Sequence, residues 1–266
     1  MSNFFHQKVV VVTGASSGIG ADLARQLALL KTRLVLASRS EEKLASLQEE
    51  LKGKGSEILI CPTDVRELSQ VKSLISQTEK KFGTIDILIN NAGVGHFGPL
   101  DQADPNQIRA VMETTFWGAV YACLSAIPIM KAKGQGSIVN ITSTAGFHGF
   151  PDIAVYSSSK AALHTLSEAL RIEMAPSGIQ VVEIQPGVID NEFHLNALGP
   201  SKHLYRNKQI RGGDPRQLTR RILKAIIAGK REVVFPRYWW LYKILNRLFP
   251  SMMEWIFVRT QVPKLK

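Results

Sequence analysis

Apolar runs and amphipathic stretches alternate along most of the chain. The runs at 8–14 (KVVVVTG), 32–38 (TRLVLAS), 56–62 (SEILICP), 85–91 (IDILINN), 136–143 (GSIVNITS) and 179–186 (IQVVEIQP) are continuous, rich in β-branched residues and bounded by turn formers. Strands without polar alternation are buried on both sides, as in a parallel sheet covered by helices. Between them, residues 18–31, 41–53, 66–82, 104–133 and 155–176 carry the 3.6-residue period of helices. A further helix near 214–228 and a short strand at 232–236 follow. This order predicts an α/β fold: a doubly wound, Rossmann-like parallel sheet of about seven strands with helices on both faces. No repeat or low-complexity linker divides the chain, so one domain over 1–236 and a helical tail over 237–266 are expected.

The tail has its own pattern. Apolar pairs recur every four positions, at Trp240–Leu241, Ile244–Leu245, Leu248–Phe249, Met252–Met253 and Ile256–Phe257. Such spacing makes one wide apolar stripe on a helix, with Lys243, Asn246, Arg247, Ser251 and Glu254 in the gaps. Pro250 opposes a continuous helix and suits the first turn of a second, so two short helices with a bend are expected. Charges and a central proline argue against a transmembrane span, which needs about 20 mostly apolar residues. The favoured arrangement lies on a membrane, with the stripe in lipid and Arg237, Lys243, Arg247, Arg259, Lys264 and Lys266 near anionic headgroups. A tail packed on a partner subunit or over a substrate pocket is the alternative.

Charge sharpens that picture. Of the formal net charge of +11, residues from 202 onward contribute 16 Lys/Arg against 3 Asp/Glu, a net of +13, and the rest is slightly acidic. One end therefore faces something anionic, a membrane surface or nucleic acid. No nucleic-acid-reading motif accompanies the charge, so nucleic acid is not expected. Cys61 and Cys123 stand far apart in apolar surroundings, which suggests a reducing, cytoplasmic setting, with peripheral membrane contact through the tail. The N-terminal stretch lacks a basic n-region and a cleavage site, and its apolar run ends in glycines, so it reads as a strand.

The segment TGASSGIG (13–20) follows the first strand and opens the first helix. Gly14 permits a tight turn, Gly18 lets backbone approach closely, and Gly20 lets helix and strand pack, with Ser16, Ser17 and Ile19 between them. The helix N-terminus then presents free N–H groups to a pyrophosphate. At the end of the second strand, where a carboxylate would bind an NAD ribose, the chain has Ser38 and then Arg39. A guanidinium pairs with a 2′-phosphate, so NADP(H) is the expected cofactor. In YSSSK, Tyr156 and Lys160 stand four apart on one helix face. An ammonium beside the phenol would lower its pKa from about 10 toward the range of proton transfer.

Taken together, TGASSGIG, Asp64–Val65, NNAG (90–93), Ser143, YSSSK and Pro186–Gly187 resemble the short-chain dehydrogenase/reductase family over about residues 6–236. The resemblance implies that Tyr156 exchanges a proton with a substrate oxygen, Lys160 binds the nicotinamide ribose and tunes the tyrosine, and Ser143 holds the substrate oxygen. It places Asp64 and Val65 at the adenine, and Asn90, Ala92 and Gly93 along the cofactor. Pro186, Gly187, Val188 and Ile189 would close over the nicotinamide. Where the family commonly has an Asn supporting a proton relay, this chain has Thr115, whose hydroxyl can hold a water. Asn191 stands where a threonine contacting the cofactor is frequent. The long helices at 104–133 and 155–176 would pair with a second subunit, giving a homodimer or homotetramer.

Residues 188–213 fall where the family builds its variable substrate loop. Phe193, Leu195, Leu198, Leu204 and Tyr205 are candidates for an apolar wall, hinged at Gly199–Pro200 and Gly212–Gly213. Phe97, Phe147 and Phe150 would form the opposite wall. His96, His148, His194 and His203 are too scattered for a metal site. The expected function is NADP(H)-dependent interconversion of a lipophilic ketone and secondary alcohol. The alternative is a non-catalytic dinucleotide-binding protein that docks on an anionic partner through its basic end.

Overall fold

The computed structural model describes residues 1–202 and 212–260. His203, Leu204, Tyr205, Lys264 and Lys266 lie outside the described residues. Seven parallel strands run in the order β3-β2-β1-β4-β5-β6-β7. They are β1 (Val9–Thr13), β2 (Arg33–Ser38), β3 (Glu57–Pro62), β4 (Ile87–Asn90), β5 (Gly136–Ile141), β6 (Ile179–Pro186) and β7 (Glu232–Phe235).

A short α1 (Ser2–Phe5) precedes the sheet. One face carries α2 (Gly18–Ala28), α3 (Glu41–Leu51) and α8 (Pro215–Ile227). The other carries α4 (Leu68–Phe82), α6 (Gly118–Lys133) and α7 (Ala154–Met174). The period of two along a strand explains why β1 is apolar throughout: Val10 and Val12 pack with Leu23, Leu44 and Ile222, and Val9 and Val11 with Leu74, Ala122 and Met174. Local chemistry marks the helix ends. Ser40, Asp104 and Asp214 accept backbone N–H groups at the starts of α3, α5 (Pro105–Met112) and α8, and Gly83 and Gly134 close α4 and α6 in left-handed conformation.

The helical stretch at 104–133 has three parts: α5 (Pro105–Met112), a π-helical turn over Glu113–Trp117, and α6. Pro105–Lys133 is the one helical stretch among the described residues long and apolar enough by composition to cross a membrane. Its Ala122, Ala126 and Met130 are buried against the sheet.

The tail forms α9 (Tyr238–Leu248) and α10 (Pro250–Thr260), bent at Phe249–Pro250. Each is about 16 Å long, half of a bilayer core. Its orientation departs from the expectation at Lys243. That ammonium points inward, 2.7 Å from Glu232 Oε2 on β7 and 4.8 Å above the Phe147 ring. Asn246 also turns in and donates to the Phe147 carbonyl (3.4 Å). The mixed face of α9 is docked on the sheet edge, while Trp240, Leu241, Leu248 and Phe249 face outward. An unpaired carboxylate at Glu232 would be costly in a half-buried position, which is why the lysine is drawn in.

Candidate active site

A cavity of about 820 Å³ opens at the C-terminal ends of the strands, where the order passes from β1 to β4. Ligand sites in doubly wound sheets sit at such a switch point. The turn after β1 is built by close approach. Gly14 has φ +64°, and a Cβ there would lie 2.8 Å from Ala92 Cα. A Cβ on Gly20 would collide with the Gly14 carbonyl oxygen. The Asn91 amide donates to the Thr13 and Gly14 carbonyls, both at 3.0 Å, and ties the turn to the loop after β4. Ser16, Ser17, Gly18 and Ile19 line the cavity. Ser17 makes no capping bond to the first turn of α2, which leaves a fresh helix start beside an open cradle. Both features suit a phosphate.

At one end the cavity is lined by Ser38, Arg39, Ser40, Lys43, Asp64, Val65 and Arg66. Arg66 grips Asp64 with its guanidinium, Nε donating to both carboxylate oxygens at 3.0 Å and Nη2 to Oδ2 at 2.6 Å. That fork, and more weakly Arg39, holds the Asp64 carboxyl below its ordinary range. The local charge balance is thus positive, with Arg39 and Lys43 beside a neutralised carboxylate.

At the middle of the cavity, Ser143 follows β5, and Tyr156 and Lys160 project from α7. The Ser143 hydroxyl donates to the Pro186 carbonyl (3.2 Å) and accepts from the Ala145 N–H (3.1 Å). Lys160 Nζ donates to the Ile141 carbonyl at 2.7 Å and lies 5.8 Å from the centre of the Tyr156 ring. Burial pushes the Tyr156 phenol up to about 12, opposed by the Ser143 hydrogen bond, and pushes Lys160 down to about 7. Burial is thus the larger influence on Tyr156 and acts against the lowering that the sequence leads one to expect from Lys160. Tyr156 is a neutral acid at pH 7, suited to giving a proton.

The family model for short chain dehydrogenase matches residues 8–198. The chain belongs to the short-chain dehydrogenase family. An 11-beta-hydroxysteroid dehydrogenase A of Sesamum indicum is 33% identical, the match covering 94% of this chain and 74% of that protein. A dehydrogenase/reductase SDR family protein 7-like of Anopheles gambiae is also 33% identical, with 94% and 81% covered. Among solved structures, a short-chain dehydrogenase/reductase from Burkholderia phymatum in complex with NAD superposes with a TM-score of 0.87, at 26% identity over 94% of this chain and 96% of that one. An alcohol dehydrogenase from Thermococcus sibiricus complexed with 5-hydroxy-NADP gives 0.76, at 26% identity over 86% and 96%.

The dehydrogenase brings most of its sequence-predicted site residues to this one cavity. Gly14, Ala92, Gly93, Pro186, Gly187, Val188 and Ile189 line it, as do Phe97, Phe150 and Phe193. Four do not. Gly20 acts one layer back, by letting α2 pack on the turn. Asn90 is interior: its amide donates to Asn140 Oδ1 (2.9 Å), whose own amide donates to Ser167 on α7, so it braces β4, β5 and α7. Phe147 lies under Lys243, away from the cavity, because the turn at Thr144–Gly146 swings it toward the tail. Thr115 is fully buried behind Gly93, and its hydroxyl finds no hydrogen-bond partner among the described residues. A Cβ on Gly93 would lie 3.5 Å from that hydroxyl and 3.4 Å from Lys160 Nζ, so the two groups flank one glycine. The π-helical turn sets Thr115 at this position, and such turns gather at functional sites.

Asn191, singled out by the resemblance, lines the cavity beside Gly18 and accepts from the Phe193 N–H (3.0 Å), so an amide occupies the place where a threonine is frequent. Other lining residues escaped sequence reasoning. Lys43 and Arg66 are ordinary exposed helix and loop cations by pattern. Trp239 lines the cavity from α9, and its indole nitrogen packs so tightly on Gly187 that a Cβ there would collide with it. The signal was available: Trp239, Tyr242 and Asn246 share a helix face between the apolar pairs. His194 lines the cavity, His96 is buried, and His148 stacks on Phe257 of α10 at 5.4 Å.

Proposed function

We propose that the protein is an NADP(H)-dependent reductase of lipophilic ketones, acting also on the corresponding secondary alcohols, at an anionic membrane surface. The observation that carries the catalytic part is the convergence of Ser143, Tyr156 and Lys160 on a cavity whose one end is a phosphate cradle and whose other walls are Phe97, Phe150, Phe193 and Trp239. A nicotinamide dinucleotide bound along the cradle supplies the hydride. Tyr156 gives its phenolic proton to the carbonyl oxygen, and the Ser143 hydroxyl turns from Pro186 to hold that oxygen. Lys160, fixed by the Ile141 carbonyl, would bind the cofactor ribose, and its positive charge would stabilise the phenolate left when the proton is transferred, until a proton from solvent restores the phenol. Thr115 holds a water that links Lys160 to solvent, a reading supported by its unpartnered buried hydroxyl. A non-catalytic binding protein has no use for this set.

NADP(H) is supported by Arg39 and Lys43 at the cavity end and by the absence of a free carboxylate there, Asp64 being taken by Arg66. Solved relatives carry NAD in one case and an NADP derivative in another. Initial rates with each cofactor, for the wild type and for Ser38→Asp with Arg39→Leu, test the assignment. The wild type is expected to prefer NADPH and the double variant NADH; unchanged ratios rule the assignment out. A screen of ketones graded by chain length and ring count, read by NADPH consumption, defines the substrate.

Peripheral membrane association is supported by the outward apolar face of α9 and α10 and by exposed Arg237, Arg247 and Arg259 beside it. Flotation with phosphatidylserine-containing vesicles tests it. Because Trp239 belongs to the cavity, point changes on the outer face serve better than deletion of the tail. Trp117, Leu124 and Ile172 are exposed on the helices that would pair in a homodimer or homotetramer, which light scattering decides.

A further inference from the structure

The tail has two working faces. On the inner one, Trp239 lines the cavity and abuts Gly187 in the segment that would cover the nicotinamide. Trp239, Tyr242 and Phe257 also join Phe150 and His148 in one aromatic cluster. The Phe150 ring is 5.9 Å from Tyr242 and 5.2 Å from Phe257, and Trp239 is 5.3 Å from Tyr242. Phe150 and His148 belong to the loop between Ser143 and Tyr156, so α9 and α10 hold the wall that joins the two reacting groups.

On the outer face, Trp240, Leu241, Leu248, Phe249, Met252 and Trp255 are each 46–63% exposed. Contiguous apolar surface of this kind marks an interaction site. The charge around it selects the partner. Arg237, Arg247 and Arg259 are exposed on the same two helices, Arg259 lies over the Trp255 ring at 4.1 Å, and the chain from residue 202 carries a net of +13. Tryptophans with arginines beside them suit the boundary between hydrocarbon and anionic headgroups. The cavity rim is apolar on this side too: Val188, next to the glycine that Trp239 covers, lines the cavity and is 44% exposed.

We propose that α9 is a wall shared between the cavity and the bilayer, so that the protein takes carbonyl substrates directly from the membrane's hydrocarbon phase rather than from water. This rests on the membrane reading above and goes beyond it. A protein merely anchored to lipid would still collect substrate from solution. Here Trp239, which lines the cavity, and Trp240, which faces outward, are consecutive residues of α9.

The test uses the full chain with NADPH and vesicles of phosphatidylcholine and phosphatidylserine, comparing cyclohexanone with a long-chain methyl ketone dissolved in the lipid. Flotation is measured in the same samples. The expected result is flotation, together with surface dilution. Added vesicles, at constant total long-chain ketone, should lower the rate in proportion to the ketone's mole fraction in lipid, while cyclohexanone turnover stays level. The double variant Trp240→Glu, Leu248→Glu should lose flotation and at least tenfold of the long-chain rate in the presence of vesicles, and keep the cyclohexanone rate. Flotation with a long-chain rate that follows only the aqueous concentration overturns this inference and leaves the membrane reading standing. Absence of flotation overturns both, and a mass in solution halved by the double variant would then assign the patch to a second copy of the chain. Equal loss of both substrates in the variant makes the tail a structural brace and also overturns the proposal. Should neither ketone be turned over, quenching of tryptophan fluorescence by the long-chain ketone in lipid replaces the rate, with the same outcomes.

Discussion

Replacing Lys243 with methionine separates the two orientations open to the tail. In the structure its ammonium is 2.7 Å from Glu232 and 3.4 Å from the Gln185 side-chain oxygen, and sits 4.8 Å above Phe147. The side chains of the pair are 26% and 30% exposed. Exposed pairs contribute about 0–1 kcal/mol, and breaking a fully buried pair costs about 3–5, so this half-screened pair sits at about 1–2. The cation over the ring adds about 0.5–1 kcal/mol. Methionine keeps the aliphatic stem and its packing, so lost charge is what the substitution reports. The expected loss is about 2 kcal/mol, or about 4–8 °C in Tm for a chain of this size. Thermal unfolding followed by tryptophan fluorescence measures it, with vesicle flotation alongside. Lys243→Met should lower Tm and leave flotation unchanged. Arg247→Gln, at an exposed position, should weaken flotation and leave Tm unchanged. If Lys243→Met instead weakens flotation without lowering Tm, the lysine faces lipid and the docking described for α9 is wrong.

Gly20→Ala should cost about 1–3 kcal/mol by overpacking and weaken dinucleotide binding, although residue 20 does not line the cavity; wild-type values in calorimetric titration and melting would refute the packing role. Thr115→Val removes a buried hydroxyl without a partner, so Tm should hold or rise while kcat falls at constant KM; an unchanged kcat removes Thr115 from the proton path. His164, one turn beyond Lys160, is held above its ordinary 6.5 chiefly by its hydrogen bond to Glu183, with Glu168 adding to it and Lys243 opposing. A raised folded pKa stabilises fully below the unfolded value and fades as pH climbs through the folded one. The stability gap between wild type and His164→Gln should therefore be widest below about pH 6.5 and narrow in alkali, and a gap that widens with pH would contradict the ion pair.

Much of this protein is local information. Continuous β-branched runs with turn residues at their ends cannot avoid strands buried on both sides, and each amphipathic period commits a helix face to the sheet. The glycine turn is equally legible, because its geometry follows from missing side chains at 14, 18 and 20. So is the joint presence of Ser143, Tyr156 and Lys160, although sequence alone does not say that they converge. What tertiary structure decided was burial and direction. The pKa of Tyr156 went up because the surrounding chain desolvates it, a quantity that depends on residues far away in sequence. Asn90 and Asn91 are identical neighbours, yet pleating turns one into the core and the other toward the glycine turn. Arg66 reaches the cavity only because Asp64 holds it there. The tail's period predicted two bent helices and an apolar stripe. Which face meets the protein was set by Glu232, Gly187 and Phe150, three residues on different elements that supply an ion, a gap and a ring for Lys243, Trp239 and Tyr242. A helical period measures how apolar each face is, and only the folded surface beneath says which face it needs.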